Sequence, residues 1–164
     1  VARSDIFGLH KLGANVLFCA PSTMLPAEAA CLGAEITNDI DEAMGWADVL
    51  IALRIQIERG AGGAFPSERE YAATYGITRK RLCAAKRDLL IMHPGPINRG
   101  VEMAPDVADG PFSVILEQVE YSVACRMAIL YLLAGRTAED GESTPAGGKR
   151  AGKSKRGAED AVAC

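Results

Sequence analysis

Arg54 and Gln56 stand two positions apart, just beyond the most strand-like apolar run of the chain, residues 47–53. If the backbone stays extended past that run, both side chains project from one face. A guanidinium grips a carboxylate through two charge-assisted hydrogen bonds, and a glutamine amide can accept from an amine while donating to a carboxylate oxygen. Those are the needs of an amino-dicarboxylic acid. The competing reading is an Arg54 that pairs on the surface with Glu58 or Asp48, an arrangement worth little. Glu58 and Arg59 fit a supporting role, fixing the segment that carries Arg54, because an arginine that binds substrate must itself be held still.

The second candidate is His93-Pro94-Gly95-Pro96, which follows the apolar run 89–92. Two prolines remove two N–H groups and fix φ at both positions, leaving a stiff loop whose Pro94 and Gly95 carbonyls point outward. Such a loop suits a small polar ligand, and in an open α/β sheet ligands are held just past the carboxyl ends of strands. The competing reading is a rigid connector that binds nothing. His93, between an apolar strand and Pro94, reads as a satisfied structural histidine rather than a base. Arg99 can brace the loop.

The elements that must position these groups alternate. Ser4 is a candidate cap for a helix to about residue 12, with Gly13 to end it. A strand buried on both faces is predicted at 15–20, a helix at 26–32, and a short strand at 34–37. Asn38 or Asp39 caps a helix through Met44 and Trp46, and 47–53 forms the clearest buried strand. Residues 60–63 are mobile by composition. Ser67-x-x-Glu70 fits a capping box, and Thr78 caps a short helix. Its Arg79, Lys80 and Arg81, with Lys86 and Arg87, form a basic cluster that reads as a solvated face rather than a phosphate patch. A strand at 89–92, a helical turn at 102–107, an extended piece at 112–116 and a helix at 117–134 complete the body. That last helix is apolar nearly all round, with Arg126 the single charge between residues 123 and 133. It demands burial on more than one side, which one small domain cannot easily supply.

Strands alternating with helices imply an α/β fold, a three-layer parallel sheet with helices on both faces. Residues 1–134 make one domain. Residues 135–164, dominated by Gly, Ala, Ser, Pro and Lys, are expected to be a disordered tail. The 164 residues are 49% hydrophobic with a formal net charge of −3, which demands no nucleic-acid partner. No apolar stretch approaches the length that crosses a bilayer. The cysteines at 19, 31, 83, 125 and 164 form no CxxC pair, and the histidines at 10 and 93 lie far apart, so no metal site is expected. Scattered thiols suit a reducing cytosol, where they serve as small apolar groups; Cys164 alone is expected to oxidise readily. Gly60-x-Gly62 lacks the third glycine and the following helix of a dinucleotide fingerprint. A start at Val1 in mid-pattern reads as a fragment.

The eleven residues from His93 to Met103, HPGPINRGVEM, resemble the HPGPxNRGVE signature of the aspartate carbamoyltransferase catalytic chain. Leu53-Arg54-Ile55-Gln56-Ile57-Glu58-Arg59 resembles that family's LRxQxER segment, and the pair in this order is far more specific than either alone. The similarity reaches from Val1 nearly to Gly135, but covers only the second, aspartate-binding half of the family's chain. The resemblance implies a Rossmann-like second domain and a reaction in which the aspartate α-amine attacks carbamoyl phosphate, giving N-carbamoyl-L-aspartate and phosphate in pyrimidine synthesis. It implies that Arg54 holds the aspartate carboxylate, that Gln56 orients it, and that Pro94, Gly95 and Pro96 present backbone groups to carbamoyl phosphate and to the attacking amine. No cofactor or metal is implied. The partners implied are L-aspartate, carbamoyl phosphate and the missing N-terminal domain, within the cytoplasmic homotrimer of the full-length family; the last helix would return to pack on that domain. The family's Ser-Thr-Arg-Thr phosphate grip, its lysine loop from a neighbouring subunit and a second aspartate-binding arginine are absent from these residues. The chain is therefore expected not to turn over alone, each missing contact costing on the order of 2 kcal/mol. An ornithine-type carbamoyltransferase is the nearest rival, but Arg54 suits an acid and that branch carries a cysteine in the loop. A non-catalytic ligand-binding or assembly domain is the other alternative.

Overall fold

Both apolar runs that precede the candidate residues become neighbouring strands. The computed structural model of the protein describes residues 1–26, 29–56, 67–134 and 160–163, with the backbone alone for residue 30 and for 160–163. Helix α1 (Ala2–Lys11) leads through Gly13, whose φ of +83° turns the chain, into β1 (Asn15–Cys19). Val1 caps α1. Ser4, the expected cap, lies inside the first turn and donates back to the Val1 carbonyl at 2.6 Å, because the helix starts earlier than the apolar spacing indicated. Of the helix expected at 26–32, the described part is a single 3-10 turn, Ala29–Leu32, before β2 (Glu35–Thr37).

Asp39 caps α2 (Ile40–Trp46) by accepting from the Asp41 and Glu42 amides. Next comes β3 (Val49–Ile51), a shorter strand than expected. Ser67 caps α3 (Glu68–Tyr75) through the Glu70 amide, half of the expected capping box. Thr78 precedes α4 (Arg79–Leu82) without a side-chain cap bond. Arg81 pairs with Asp41 at 3.1 Å and Lys86 with Asp48 at 2.7 Å, so these two members of the basic cluster are engaged with carboxylates. After β4 (Leu90–Met92), α5 (Pro105–Ala108) begins three residues later than expected, on a proline suited to a first helical turn. The last helix, α6 (Ile115–Ala134), begins inside the piece expected to be extended; that extended piece shrinks to a bridge between Ser113 and Ile91.

The strands form one parallel sheet in the order β2-β1-β5-β3-β4, where β5 is Asp160–Ala163. The expected parallel α/β fold is observed; the expected disorder of the whole tail is corrected for residues 160–163. β1 and β3 each pair with β5 instead of with each other, so this four-residue segment finds backbone partners on both sides. Context of that kind outweighs the weak strand preference of a Gly/Ala-rich tail. Residues 135–159 and 164, and the expected mobility at 60–63, lie outside the described residues.

The core is built on Leu50 of β3 and Ile91 of β4, packed with Met44, Leu89, Met103 and Val107. Helix α6 meets the rest of the fold mainly through its contact with β4. Ile115 is its one buried residue among those described, and Met127, Leu130, Tyr131 and Leu133 are all more than half exposed. The expectation that one small domain cannot cover this helix holds. Cys19 is buried, whereas Cys31, Cys83 and Cys125 are exposed. Cys164 is therefore not the lone oxidisable thiol; local helix surface, not average apolarity, sets thiol access. No described helix is long and apolar enough to cross a membrane.

Candidate functional site

β3 and β4 run parallel in register, with Leu50 beside Ile91 and Ile51 beside Met92. One further backbone bond, from the Ala52 amide to the Met92 carbonyl at 2.9 Å, carries the pairing beyond the strand ends. Residues 52–56 and 93–98 therefore leave the same edge side by side. Along the first of these segments Ala52 and Ile55 are buried, Leu53 and Arg54 are half-buried, and Gln56 is exposed.

Arg54 and Gln56 line one open cleft of about 410 Å³ together with Pro94, Gly95 and Pro96. The five residues singled out by their chemistry thus meet at one place. Val1, Met24 and Leu53 complete the lining. None of these three carries a chemical signature, which is why the sequence did not point to them. Beneath Arg54 lies a smaller apolar cavity of about 180 Å³, walled in part by Phe18, Ile55 and Tyr71.

Gly95 takes φ of +72°, and a Cβ built there would meet nothing within 4 Å. Glycine is required for conformation, not for space. The Gly95–Pro96 peptide is cis. Below the turn, His93 is fully buried; its Nδ1 accepts from the Gly95 amide at 2.8 Å, and its own amide donates to the Gln118 side-chain oxygen at 2.9 Å. An accepting Nδ1 leaves the ring proton on Nε2, which faces Oε1 of buried Glu102 at 3.5 Å, outside hydrogen-bond geometry. His93 is thus a structural histidine with one ring nitrogen satisfied. Glu102 also accepts from the Asn98 amide, and the Asn98 side chain donates to the Ile55 carbonyl at 3.1 Å. Glu102, Asn98 and Gln118 were missed as site residues. The bond from residue 98 to residue 55 joins segments 43 positions apart and has no local signal.

Arg99 holds Asp109 through two bonds, Nη1 to Oδ2 at 2.7 Å and Nη2 to Oδ1 at 2.9 Å. The hydrogen bond from Arg99 holds the Asp109 carboxyl below its ordinary value, and the Arg99 guanidinium is raised in turn. Arg99 braces the outer end of the signature loop against the turn after α5. Glu58 and Arg59 lie outside the described residues. No group of three or more His, Cys, Asp or Glu side chains able to hold a metal occurs among the described residues.

A sequence model of the family described as aspartate/ornithine carbamoyltransferase, Asp/Orn binding domain, matches residues 1–133. The chain is 56% identical over 142 residues to the aspartate carbamoyltransferase catalytic subunit of Desulfosudis oleivorans, covering 87% of this chain and 46% of that one. It therefore spans a little under half the length of such curated relatives. Among solved structures, the ornithine carbamoyltransferase from Pyrococcus furiosus superposes with a TM-score of 0.69 at 28% identity, covering 84% of this chain and 47% of its own. Aspartate transcarbamoylase from Trypanosoma cruzi, solved with carbamoyl aspartate and phosphate, superposes with a TM-score of 0.58 at 30% identity, covering 71% of this chain and 39% of its own.

Proposed function

The chain belongs to the aspartate/ornithine carbamoyltransferase family, as its Asp/Orn-binding domain, and from that premise we propose that it supplies the aspartate-binding half of an aspartate carbamoyltransferase. In the full reaction the α-amine of L-aspartate attacks the carbonyl carbon of carbamoyl phosphate, the carbon–oxygen bond to phosphate breaks, and N-carbamoyl-L-aspartate and phosphate result. Arg54 receives an aspartate carboxylate in bidentate fashion, and Gln56 orients the amino acid. The carbonyls of Pro94, Gly95 and Pro96 face the carbamoyl group and the amine, while the Gly95 amide is taken up by His93. Catalysis of this kind comes from holding two charged reactants in line and stabilising developing charge. Glu58 and Arg59 steady the Arg54 segment, and Arg99 steadies the loop.

The single observation that carries this reading is the cleft shared by Arg54, Gln56 and the Pro94–Pro96 turn. A cationic fork at its mouth favours an acidic amino acid over ornithine. The 56% identity to a protein named for aspartate points the same way. The groups that would grip the phosphate are not among these residues, so turnover needs the family's first domain. The uncovered apolar face of α6 is where that domain would pack, within a homotrimer working in the cytoplasm on the pyrimidine route.

Titration of the isotope-labelled chain with N-phosphonacetyl-L-aspartate, which joins a phosphonate to an aspartate, tests the assignment. Expected is weak saturable binding, with a dissociation constant of about 1 mM or above, that moves the Gln56 and Gly95 resonances and vanishes in Arg54→Ala. Binding unchanged in that variant would remove Arg54 from the site.

A further inference from the structure

We propose that Asn98 is a positioning residue that sets the spacing between the Arg54–Gln56 segment and the Pro94–Pro96 turn, an inference that rests on the reading of the cleft given above. The backbone ladder between the two segments ends at the Ala52 amide and the Met92 carbonyl. Beyond it, a tie between them is the Asn98 side chain, donating to the Ile55 carbonyl at 3.1 Å. Ile55 lies between Arg54 and Gln56 and is itself buried, so fixing its carbonyl fixes the peptide planes from which both ligand-facing side chains spring.

Asn98 is held in turn from within. Its amide donates to Glu102, whose carboxylate faces Nε2 of His93, and His93 accepts from the Gly95 amide at the centre of the turn. Asn98 thus stands where a path of contacts from the turn, hydrogen-bonded except at the 3.5 Å step between His93 and Glu102, meets the segment that carries the arginine. Glu102 and His93 are 3% and 0% exposed, so the path is shielded from competing water. A carbonyl only accepts, so the bond to Ile55 needs a donor at position 98; an arginine, lysine or aspartate there would reach too far or offer no proton. The cleft must place a carboxylate grip and a carbonyl-facing turn at one distance, and small errors in such spacing cost rate and affinity steeply.

The substitution Asn98→Asp keeps size and removes the donor, and Asn98→Ser supplies a second variant with a hydroxyl too short to reach. Two readouts on the 164-residue chain separate positioning from mere stability. In the unliganded protein, the Gln56 amide shares a peptide unit with the Ile55 carbonyl, so its nitrogen–proton resonance should move in both variants while amides of β1 and α2 stay in place. In titration with N-phosphonacetyl-L-aspartate, affinity should fall about tenfold, the equivalent of one net hydrogen bond, with the thermal unfolding midpoint little changed. A Gln56 resonance that stays put, with affinity equal to that of the parent chain, would overturn the proposal. If the parent chain binds no ligand, the assignment of the cleft falls, and the Gln56 resonance alone then decides whether Asn98 makes the tie.

Discussion

At the tips of β3 and β4, buried polar side chains are each hydrogen-bonded to the backbone around them; along α6, apolar side chains stand in the open. His93 and Glu102 are buried yet linked through Gly95, Gln118 and Asn98. Leu130 and Leu133 are 62% and 74% exposed. Burying polar atoms costs free energy unless they are paired, and exposing a contiguous apolar face forgoes burial that folding normally gains. The two regions therefore serve different ends. The sheet tips hold a geometry tied together by bonds within the described residues, whereas α6 presents an apolar face that those residues leave uncovered.

The contrast predicts where truncation will hurt. Ile91, fully buried beside Leu50 at the root of the signature loop, should cost about 3 kcal/mol of stability when replaced by alanine, from lost transfer energy and an unfilled cavity. Chemical denaturation measures it, and a loss below about 1 kcal/mol would mean that the core under the cleft collapses easily and gives the turn no rigid base. Next in size is Glu102→Ala, which strips the Asn98 amide of its acceptor in a site closed to water. A loss of about 2 kcal/mol is expected, and Glu102→Gln, retaining one acceptor oxygen, should lose less than half as much. Equal losses in the two variants would show that the charge matters more than the bond to Asn98.

How far this organisation could be read from residues alone depends on distance along the chain. The buried runs before Arg54 and His93 marked β3 and β4, and the strand-end rule for α/β sheets brought the arginine and the proline turn together. Asp39 and Ser67 were legible as caps because capping is a matter of three neighbouring residues. Ser4 misled, since a helix that begins at Ala2 takes that hydroxyl inside its first turn. Asn98 and Glu102 stand as fixed letters of the loop signature, but their roles were unreadable: each works through a contact made by folding. The strand at residues 160–163 was invisible for a different reason. Its place comes from the pairing groups that β1 and β3 offer, not from its own preference.

A smaller effect should appear only in acid. Arg99 keeps the Asp109 carboxyl below its ordinary value of 3.8, first through the hydrogen bond and then through charge. A carboxyl lowered in the folded state adds stability above its unfolded value, and that contribution is lost as pH falls through the folded one. Stability should thus be insensitive to this pair from neutral pH down to about pH 4 and decline faster below it than in Asp109→Asn. Both groups are solvent-exposed, so added salt should shrink the difference. An identical acid limb in the two proteins would show that the loop does not depend on this brace.

The least effect on stability should come from α6, and it sharpens the contrast most. Met127 and Leu130, at 66% and 62% exposure, gain little from folding in the isolated chain. Replacing both by lysine should therefore change stability by no more than about 0.5 kcal/mol, although the same chemistry at Ile91 would unfold the protein. The surface consequence runs the other way. Removing two large side chains from an exposed apolar face should lower binding of a hydrophobic dye and raise solubility in the unpartnered chain. If stability instead falls by several kcal/mol, α6 is packed against this domain in solution, and the division between a bonded cleft and a bare helix no longer holds.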